Sequence, residues 1–317
     1  MRNTNDLECF DIRYVKLHFR IAFTEDTLLQ KYKASALRGG MGEMLLRQNC
    51  IRDRMCDKCD FAGECLVQRI MYSKMEIQPD FMSGGDSVGY VLECEDYREE
   101  FDAGDQLEFQ VIIFGKTIVY FAQILDAFYR LGMYGIGKNK SKYEIVSITN
   151  SRKAPILSGN NVVMENYRVE TVDEYVAYRL KKFFTNDDPV VLKFQSPLTL
   201  KYQGEFIRRF DHEAIITAVK RRLYILSCFE GIDTDVRNRE LSDSISSDPI
   251  EQHVVRIPRY SNRKNEKMYL EGIEGRCCIR GIDDKMLRLL LAGELLHIGK
   301  NTSFGFGRYH VSAVRGE

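Results

Sequence analysis

The chain has 317 residues, enough for two domains at roughly 100–200 residues each. Its 46 Lys and Arg balance 46 Asp and Glu, so the formal net charge is zero. That excludes a histone-like or tail-driven nucleic-acid binder, for which a pI above about 9 is expected, but not a local basic groove. Apolar residues make up 44% and charged residues 29%, which excludes long-range disorder and collagen-like classes.

No stretch approaches the roughly 20 apolar residues that span a bilayer. The opening MRNTNDLECF has no apolar signal core, so a cytoplasmic protein with no membrane partner is expected. In that reducing compartment nine cysteines read as thiols or metal ligands rather than disulfides.

Residues Tyr14–Phe23 alternate apolar and polar, a half-buried strand. Residues 27–48 read as a helix with Leu37, Met41 and Leu45 on one face. Gly39, Gly40 and Gly42 in it each cost about 1 kcal/mol against Ala, so they point to a close backbone approach or a break. A cysteine-rich loop (50–65) follows, then strands at Gly89–Glu93 and Gln106–Gly115. Between them, Glu93–Asp105 holds seven acids against one Arg and reads as a solvated hairpin loop. Residues 117–131 form an amphipathic helix stopped by Gly132, and Tyr143–Ile148 is a strand. The order is the split βαβ, ferredoxin-like pattern.

The second half rhymes with the first. Val190–Lys201 is a strand broken by Pro197, and Asp211 opens a helix closed by Gly231. Residues 232–252, with six acids, two Arg and four Ser, read as a connector or hairpin tip. Val254–Arg259 and Met268–Ile282 are strands, Asp283 caps a helix to about Leu296, and Arg308–Val314 is the last strand. Ile-Gly-Lys-Asn recurs at 136–139 and 298–301, both times between a helix and a strand, which we read as duplication. At the aligned position the first half has Gly135 and the second His297. The expected architecture is therefore α+β, with two tandem ferredoxin-like (RRM-like) βαββαβ domains. Residues 1–152 form the first, with a cysteine-rich insert at 50–88, and 186–317 the second. Residues 153–185 join them and carry one helix at about 172–185.

Cys50-x5-Cys56-x2-Cys59-x5-Cys65 supplies four thiolates with a central knuckle, the donor set of a closed structural zinc site. An iron–sulfur cluster uses the same ligands. Cys9, Cys94, Cys228, Cys277 and Cys278 read as core or strand thiols.

Gly299 to Arg308 is a G-x5-G-x-G loop. Glycines at 299, 305 and 307 let backbone N–H groups approach an anion. Lys300 and Arg308 add charge, Asn301, Thr302 and Ser303 polar groups, and Phe304 and Phe306 stacking faces. Together they suit a phosphodiester chain with unstacked bases. The plainer alternative is a tight turn with core phenylalanines.

A two-domain ferredoxin-like pattern ending in HIGKNTSFGFGRYHV resembles the RAMP superfamily of CRISPR-associated proteins. More narrowly it resembles the endoribonucleases that process CRISPR precursor RNA, in the branch carrying an ALRGGMGEML helix followed by a cysteine cluster. The resemblance implies cleavage of repeat RNA without a catalytic metal. A 2′-hydroxyl attacks the adjacent phosphate, leaving a 2′,3′-cyclic phosphate and a 5′-hydroxyl. The same resemblance leaves room for a non-catalytic RNA-binding subunit of a CRISPR effector complex, and for other effector or adaptation proteins as partners. Many members place a catalytic His in or near the first helix, but this chain has none between Phe19 and Asp211. Of His18, His212, His253, His297 and His310, the expected acid–base is His297, with Lys300 stabilising the phosphorane. His18 is the second candidate. Arg38, Lys138 and Lys140 are placed on the RNA path, with further basic clusters at Lys142, at Lys220, Arg221 and Arg222, and at Arg256, Arg259, Arg263, Lys264 and Lys267.

Overall fold

The alternating run near the start of the chain is a strand, Arg13–Phe23 (β1), with Val15, Leu17, Phe19, Ile21 and Phe23 buried on one face. The computed structural model describes residues 11–73, 75, 77–82, 87–159, 161–183, 189–232, 244–261 and 266–314. Cys9, Arg263 and Lys264 lie outside the described residues. The chain divides into two compact units: Tyr14–Glu76 with Asp80–Val169, and Glu170–Glu317 with Met1–Arg13 and Ile77–Pro79.

In the N-terminal unit, β1 pairs with Gln106–Phe114 (β3) and Tyr143–Asn150 (β4), and Tyr90–Glu93 (β2) pairs with β3. The order β2-β3-β1-β4 is antiparallel throughout and continues into Pro155–Ser158 (β5) and Asn161–Val162 (β6). Ala34–Asn49 (α1) links β1 to β2, with the short helix Leu66–Met71 (α2) after it, and Phe121–Tyr134 (α3) links β3 to β4. This is the ferredoxin-like βαββαβ connection. Phe19, Phe109 and Phe128 form its aromatic centre, with ring centroids 4.9–5.1 Å apart.

Some local details differ from the sequence expectation, while others settle it. Helix α1 starts at Ala34, not 27, because Thr27–Leu28 pairs with Glu100–Phe101 as a minimal ribbon. The α1 glycines mark close approach rather than a break: a Cβ on Gly40 would stand 2.5 Å from Leu131 of α3. Helix α3 runs through a buried Gly132 and stops at Gly135, whose φ of +98° is open to glycine. Nor is the acidic stretch simply solvated. Glu93 ends β2 as a buried carboxylate 3.1 Å from the Lys16 ammonium. The buried Lys33 ammonium, at the start of α1, donates to the carbonyls of Asp96 (2.8 Å) and Arg98.

The C-terminal unit repeats the order. Its strands are Val190–Leu198 (β7), Ser246–Ser261 (β10), Glu266–Arg280 (β11) and Tyr309–Ala313 (β12), arranged β10-β11-β7-β12. Its helices are Val172–Leu180 (α4), His212–Glu230 (α5) and Asp284–Leu296 (α6). Lys201–Tyr202 (β8) and Glu205–Phe206 (β9) form a separate hairpin after β7. The caps are those the sequence signals: Asp211 accepts from the Ala214 N–H at 2.8 Å, Asp283 from the Met286 N–H at 2.7 Å, and Gly231 closes α5 with φ +89°. The stretch expected as a connector contributes residues 246–252 to β10, while 233–243 lie outside the described residues.

Strand β12 lies at the sheet edge, and α4, the helix expected in the linker, closes that edge. Arg179 of α4 donates to the Glu294 carboxylate through Nε (2.9 Å) and Nη2 (3.0 Å), and to the Val311 carbonyl at 2.8 Å. Glu294 of α6 accepts the Val311 N–H at 2.9 Å and the Tyr175 hydroxyl at 2.6 Å. The edge groups of Val311, which would otherwise invite another strand, are thus satisfied by a buried ion pair. Lys220 and Arg222 are also buried, so the run expected to be a basic surface leaves Arg221 as its exposed member. Arg222 instead donates to the Leu296 carbonyl at 3.1 Å, a carbonyl left open at the end of α6.

Candidate functional site

The Gly-rich loop connects α6 to β12 and is tied down on both sides. Ile298 N–H donates to the Gly307 carbonyl (3.1 Å), Gly307 N–H to Pro197 (2.9 Å), and Lys300 N–H to Thr199 (2.7 Å). A Cβ on Gly307 would stand 1.8 Å from the Ile298 carbonyl oxygen, and φ there is +70°. Backbone bonds within the protein therefore account for the closest glycine approach. Thr302, Ser303 and Phe306 are buried. The expected RNA contact by Ser303 is corrected on that ground, and Gly305 and Gly307 likewise turn inward. Lys300 is exposed, with Gly299, Asn301, Phe304 and Arg308 part-exposed.

His297 is corrected as well. Its side chain is 0% exposed, with Nδ1 3.0 Å from the Phe306 carbonyl oxygen. An imidazole sealed inside the loop does not reach a bound phosphodiester. Its backbone stands at φ +57° and ψ 149°, a region almost reserved for glycine, and Gly135 occupies the matching point of the first repeat at φ +98° and ψ 144°. His297 is a positioning residue that holds Phe306 and the turn.

The chemistry that faces outward lies on the open side of the C-terminal sheet. Strand register places Glu251, Arg276, Lys193 and His310 in one row across β10, β11, β7 and β12, all four exposed. Partners in such a row have Cβ atoms about 5 Å apart. Alternation sends Tyr309 into the core, where its hydroxyl donates to the Leu290 carbonyl at 2.6 Å, and His310 outward. The His310 ring is 48% exposed, and its Nδ1 lies 3.4 Å from the Glu294 carboxylate. Burial alone would raise the Glu294 pKa. Hydrogen bonds from His310, Arg179 and Tyr175 outweigh it and hold the carboxyl down at about 2. The ionised Glu294 carboxylate thus stands against one ring nitrogen of an imidazole that is otherwise exposed. Among the described residues Lys193 has no charged partner, whereas Arg276 pairs with Glu251 at 3.3 Å. Beside this row, His253 faces Glu274 at 3.4 Å.

Residues expected on the RNA path in the N-terminal unit divide. Lys138, Lys140 and Lys142 are exposed, and the Lys140 ammonium sits 4.7 Å above the Tyr134 ring. Arg38 is half-buried and donates to the Ser87 hydroxyl at 2.7 Å, which ties α1 to the segment before β2. His18 lies opposite Gln110 and Thr149, half-buried; burial pushes its pKa down, and Lys16 adds to that. His212 is bound to Ser247 at a helix start.

Cys50, Cys56, Cys59 and Cys65, all half-buried, line a single cavity of about 330 Å³ with Leu46, Met55 and Phe61. The Arg54 N–H donates to the Cys50 sulfur at 3.2 Å, and Cys65 stands at the start of α2. The donor set fits a thiolate-bound metal in kind. Among the described residues, however, no three His, Cys, Asp or Glu stand together as a ligand group.

Sequence pattern missed Lys193 and Glu294. An acid inside the apolar run LLLAGELL is the signal that would have found the latter, since a buried carboxylate requires partners. It also missed the hairpin of β8 and β9.

Comparison with known proteins matches this picture. A family model described as an N-terminal domain covers residues 12–173, and that of the CRISPR-associated endoribonuclease Cas6 covers residues 192–309. Residues 192–309 therefore carry a domain of the Cas6 family. An uncharacterized protein of Archaeoglobus fulgidus is 25% identical over 306 residues, 95% of this chain and 99% of that one. A solved Cas6 product complex superposes with a TM-score of 0.53 at 12% identity, over 95% of this chain and 100% of that one. A partial Cas6-RT-Cas1–Cas2 complex gives a TM-score of 0.57 at 12% identity, and this chain, 95% covered, spans about half (46%) of that one. At these identities the structures establish a shared Cas6 fold. No helix among the described residues is long and apolar enough to cross a membrane.

The role given to His297 is checked by chemical denaturation. His297→Ala leaves the Phe306 carbonyl unsatisfied and opens a cavity, for an expected loss of about 2–4 kcal/mol. His297→Gly loses the same contact but relieves roughly 1–3 kcal/mol of backbone strain, so it should be the more stable of the two. Equal stability of both variants and the parent contradicts this role.

Proposed function

We propose that this protein is an endoribonuclease that binds a CRISPR repeat transcript on the open face of its C-terminal sheet and cuts it without a catalytic metal. The observation that carries the reading is His310, an exposed imidazole against the buried Glu294, with Lys193 opposite it across the strand pair. In the reaction His310 Nε2 takes the proton of a 2′-hydroxyl, and the 2′-oxygen forms a bond to the adjacent phosphorus. The bond from phosphorus to the 5′-oxygen breaks, and that oxygen takes a proton from water, giving a 2′,3′-cyclic phosphate and a 5′-hydroxyl, while His310 returns its proton to solvent. Lys193 faces the charge that grows on the phosphorane. Lys300, Arg308, Asn301 and Phe304 extend the RNA surface onto the Gly-rich loop, with Lys138 and Lys140 as further contacts in the N-terminal unit. The family match over 192–309 includes Lys193 but stops one residue short of His310.

A second reading, a non-catalytic RNA-binding subunit of a CRISPR effector complex, is favoured by the burial of His297 and the lack of any His on α1. Similarity to a chain of a Cas6-RT-Cas1–Cas2 complex supports other CRISPR proteins as partners.

The deciding assay incubates labelled repeat RNA in EDTA, with and without a 2′-deoxy sugar at the cut site. Cleavage is expected only with the ribose, and His310→Ala should lower it about 10²–10⁴-fold while leaving RNA affinity in place. Full activity of His310→Ala overturns the assignment, and wild-type binding without cleavage establishes the second reading.

We also propose that Cys50, Cys56, Cys59 and Cys65 hold a structural zinc ion that pins the insert between α1 and β2. Four thiolates would leave no open position for water. Elemental analysis should find about one equivalent of zinc, and chelation should lower the unfolding midpoint. Iron in its place identifies a cluster, and less than about half an equivalent of either metal removes the site.

A further inference from the structure

The hairpin of β8 and β9 is not part of the ferredoxin-like framework, and it carries the largest apolar group exposed beside the Gly-rich loop. Gln203 and Gly204 both have positive φ (+47° and +90°), which makes a tight primed turn. Lys201 pairs with Phe206 across it, and the Ile207 N–H donates to the Leu200 carbonyl at 3.0 Å. Phe206 is 57% exposed, and the Lys300 ammonium lies 5.4 Å from its ring centroid. Lys300 is held by its own backbone: its N–H donates to Thr199, immediately before the hairpin. Hairpin and loop are thus fastened together at one point, and an exposed aromatic ring stands beside a cation.

The charge around this face is basic. Lys201, Arg208, Arg209 and Lys300 are exposed, against Glu205 and Glu213, and Glu213 accepts the Tyr202 hydroxyl at 2.9 Å. A solvated phenyl ring costs free energy unless something covers it. An apolar peptide would gain little from four cations. A nucleotide matches both features, because its base offers a π face to the ring and its phosphate a negative charge to Lys300 and Lys201.

We propose that Phe206 and Lys300 form a stacking subsite for one unpaired nucleobase of the bound RNA, with its phosphate on the neighbouring lysines. The proposal rests on the RNA-binding reading above and adds a place where single-stranded RNA is gripped. Stacking reads the base's face rather than its edge, so the subsite selects for an unpaired nucleotide more than for a particular base.

The test uses the full chain and ten-nucleotide single-stranded RNAs, each with 2-aminopurine at a different position. With the parent protein, one position should be quenched on binding. Phe206→Ala should abolish that quenching and raise the dissociation constant about tenfold, while Phe206→Tyr keeps both near the parent values. Because Phe206 is solvent-exposed at a hairpin end, unfolding of Phe206→Ala is not expected, and circular dichroism checks this. Unchanged quenching and affinity in a folded Phe206→Ala overturns the subsite while leaving RNA binding intact. Failure of the parent protein to bind any of these RNAs overturns the subsite and the RNA-binding reading together.

Discussion

The C-terminal unit depends on one buried ion pair. Glu294 and Arg179 come from different helices, and both reach the same residue of β12, one accepting from the Val311 N–H and the other donating to its carbonyl. Replaced by apolar groups, such a pair is often energetically neutral; broken on one side, it leaves an uncompensated buried charge. Here it also does something an apolar pair could not. It satisfies an edge strand's backbone, draws α4 onto the same unit as α6, and presents a fixed negative charge to the imidazole of the preceding residue. The orientation of His310 follows from how the sheet edge is sealed.

The two halves share a strand order and differ at one turn. Both halves carry the β2-β3-β1-β4 order or its equivalent, and both place Ile-Gly-Lys-Asn between a helix and a strand. Gly135 takes the positive-φ turn without cost, whereas His297 takes it with strain and returns a hydrogen bond to Phe306. The first loop ends in exposed lysines, and the second folds on itself to bring Lys300 beside Phe206. The first turn closes on itself through Ile136 and Ser141, whereas the second is fastened to Pro197 and Thr199.

Local physics made much of the fold legible in the sequence. The alternation of β1, the caps Asp211 and Asp283, and the stop at Gly231 are signals within a few residues, and all act as expected. What stayed hidden depends on distant partners. Lys220, Arg221 and Arg222 are adjacent in sequence, yet only the packing of α5 decides that Arg222 turns inward to a carbonyl of α6. The Gly-rich loop reads as an anion cradle from composition, but its inward Thr302, Ser303 and Phe306 are set by the turn. Of the two aromatic roles open to that loop, Phe306 takes the core one. The hairpin was missed because Gln-Gly is a weaker turn signal than Asn-Gly or Asp-Gly.

Overall neutrality of the chain conceals the same division of labour. Acidic stretches such as 93–105 serve partly as internal partners for Lys16 and Lys33, while exposed cations gather on the C-terminal sheet and the hairpin beside it. Glu294 anchors this face. Its depressed pKa contributes stability that is complete above the ordinary value of 4.5 and lost as the pH falls towards about 2. The most direct measurement is the unfolding free energy of the parent and of Glu294→Gln as a function of pH. At neutral pH the variant should be less stable by about 3–5 kcal/mol, with the gap closing below pH 4.5. Equal stability at neutral pH, or a constant gap down to pH 2, would rule out that anchoring role for Glu294.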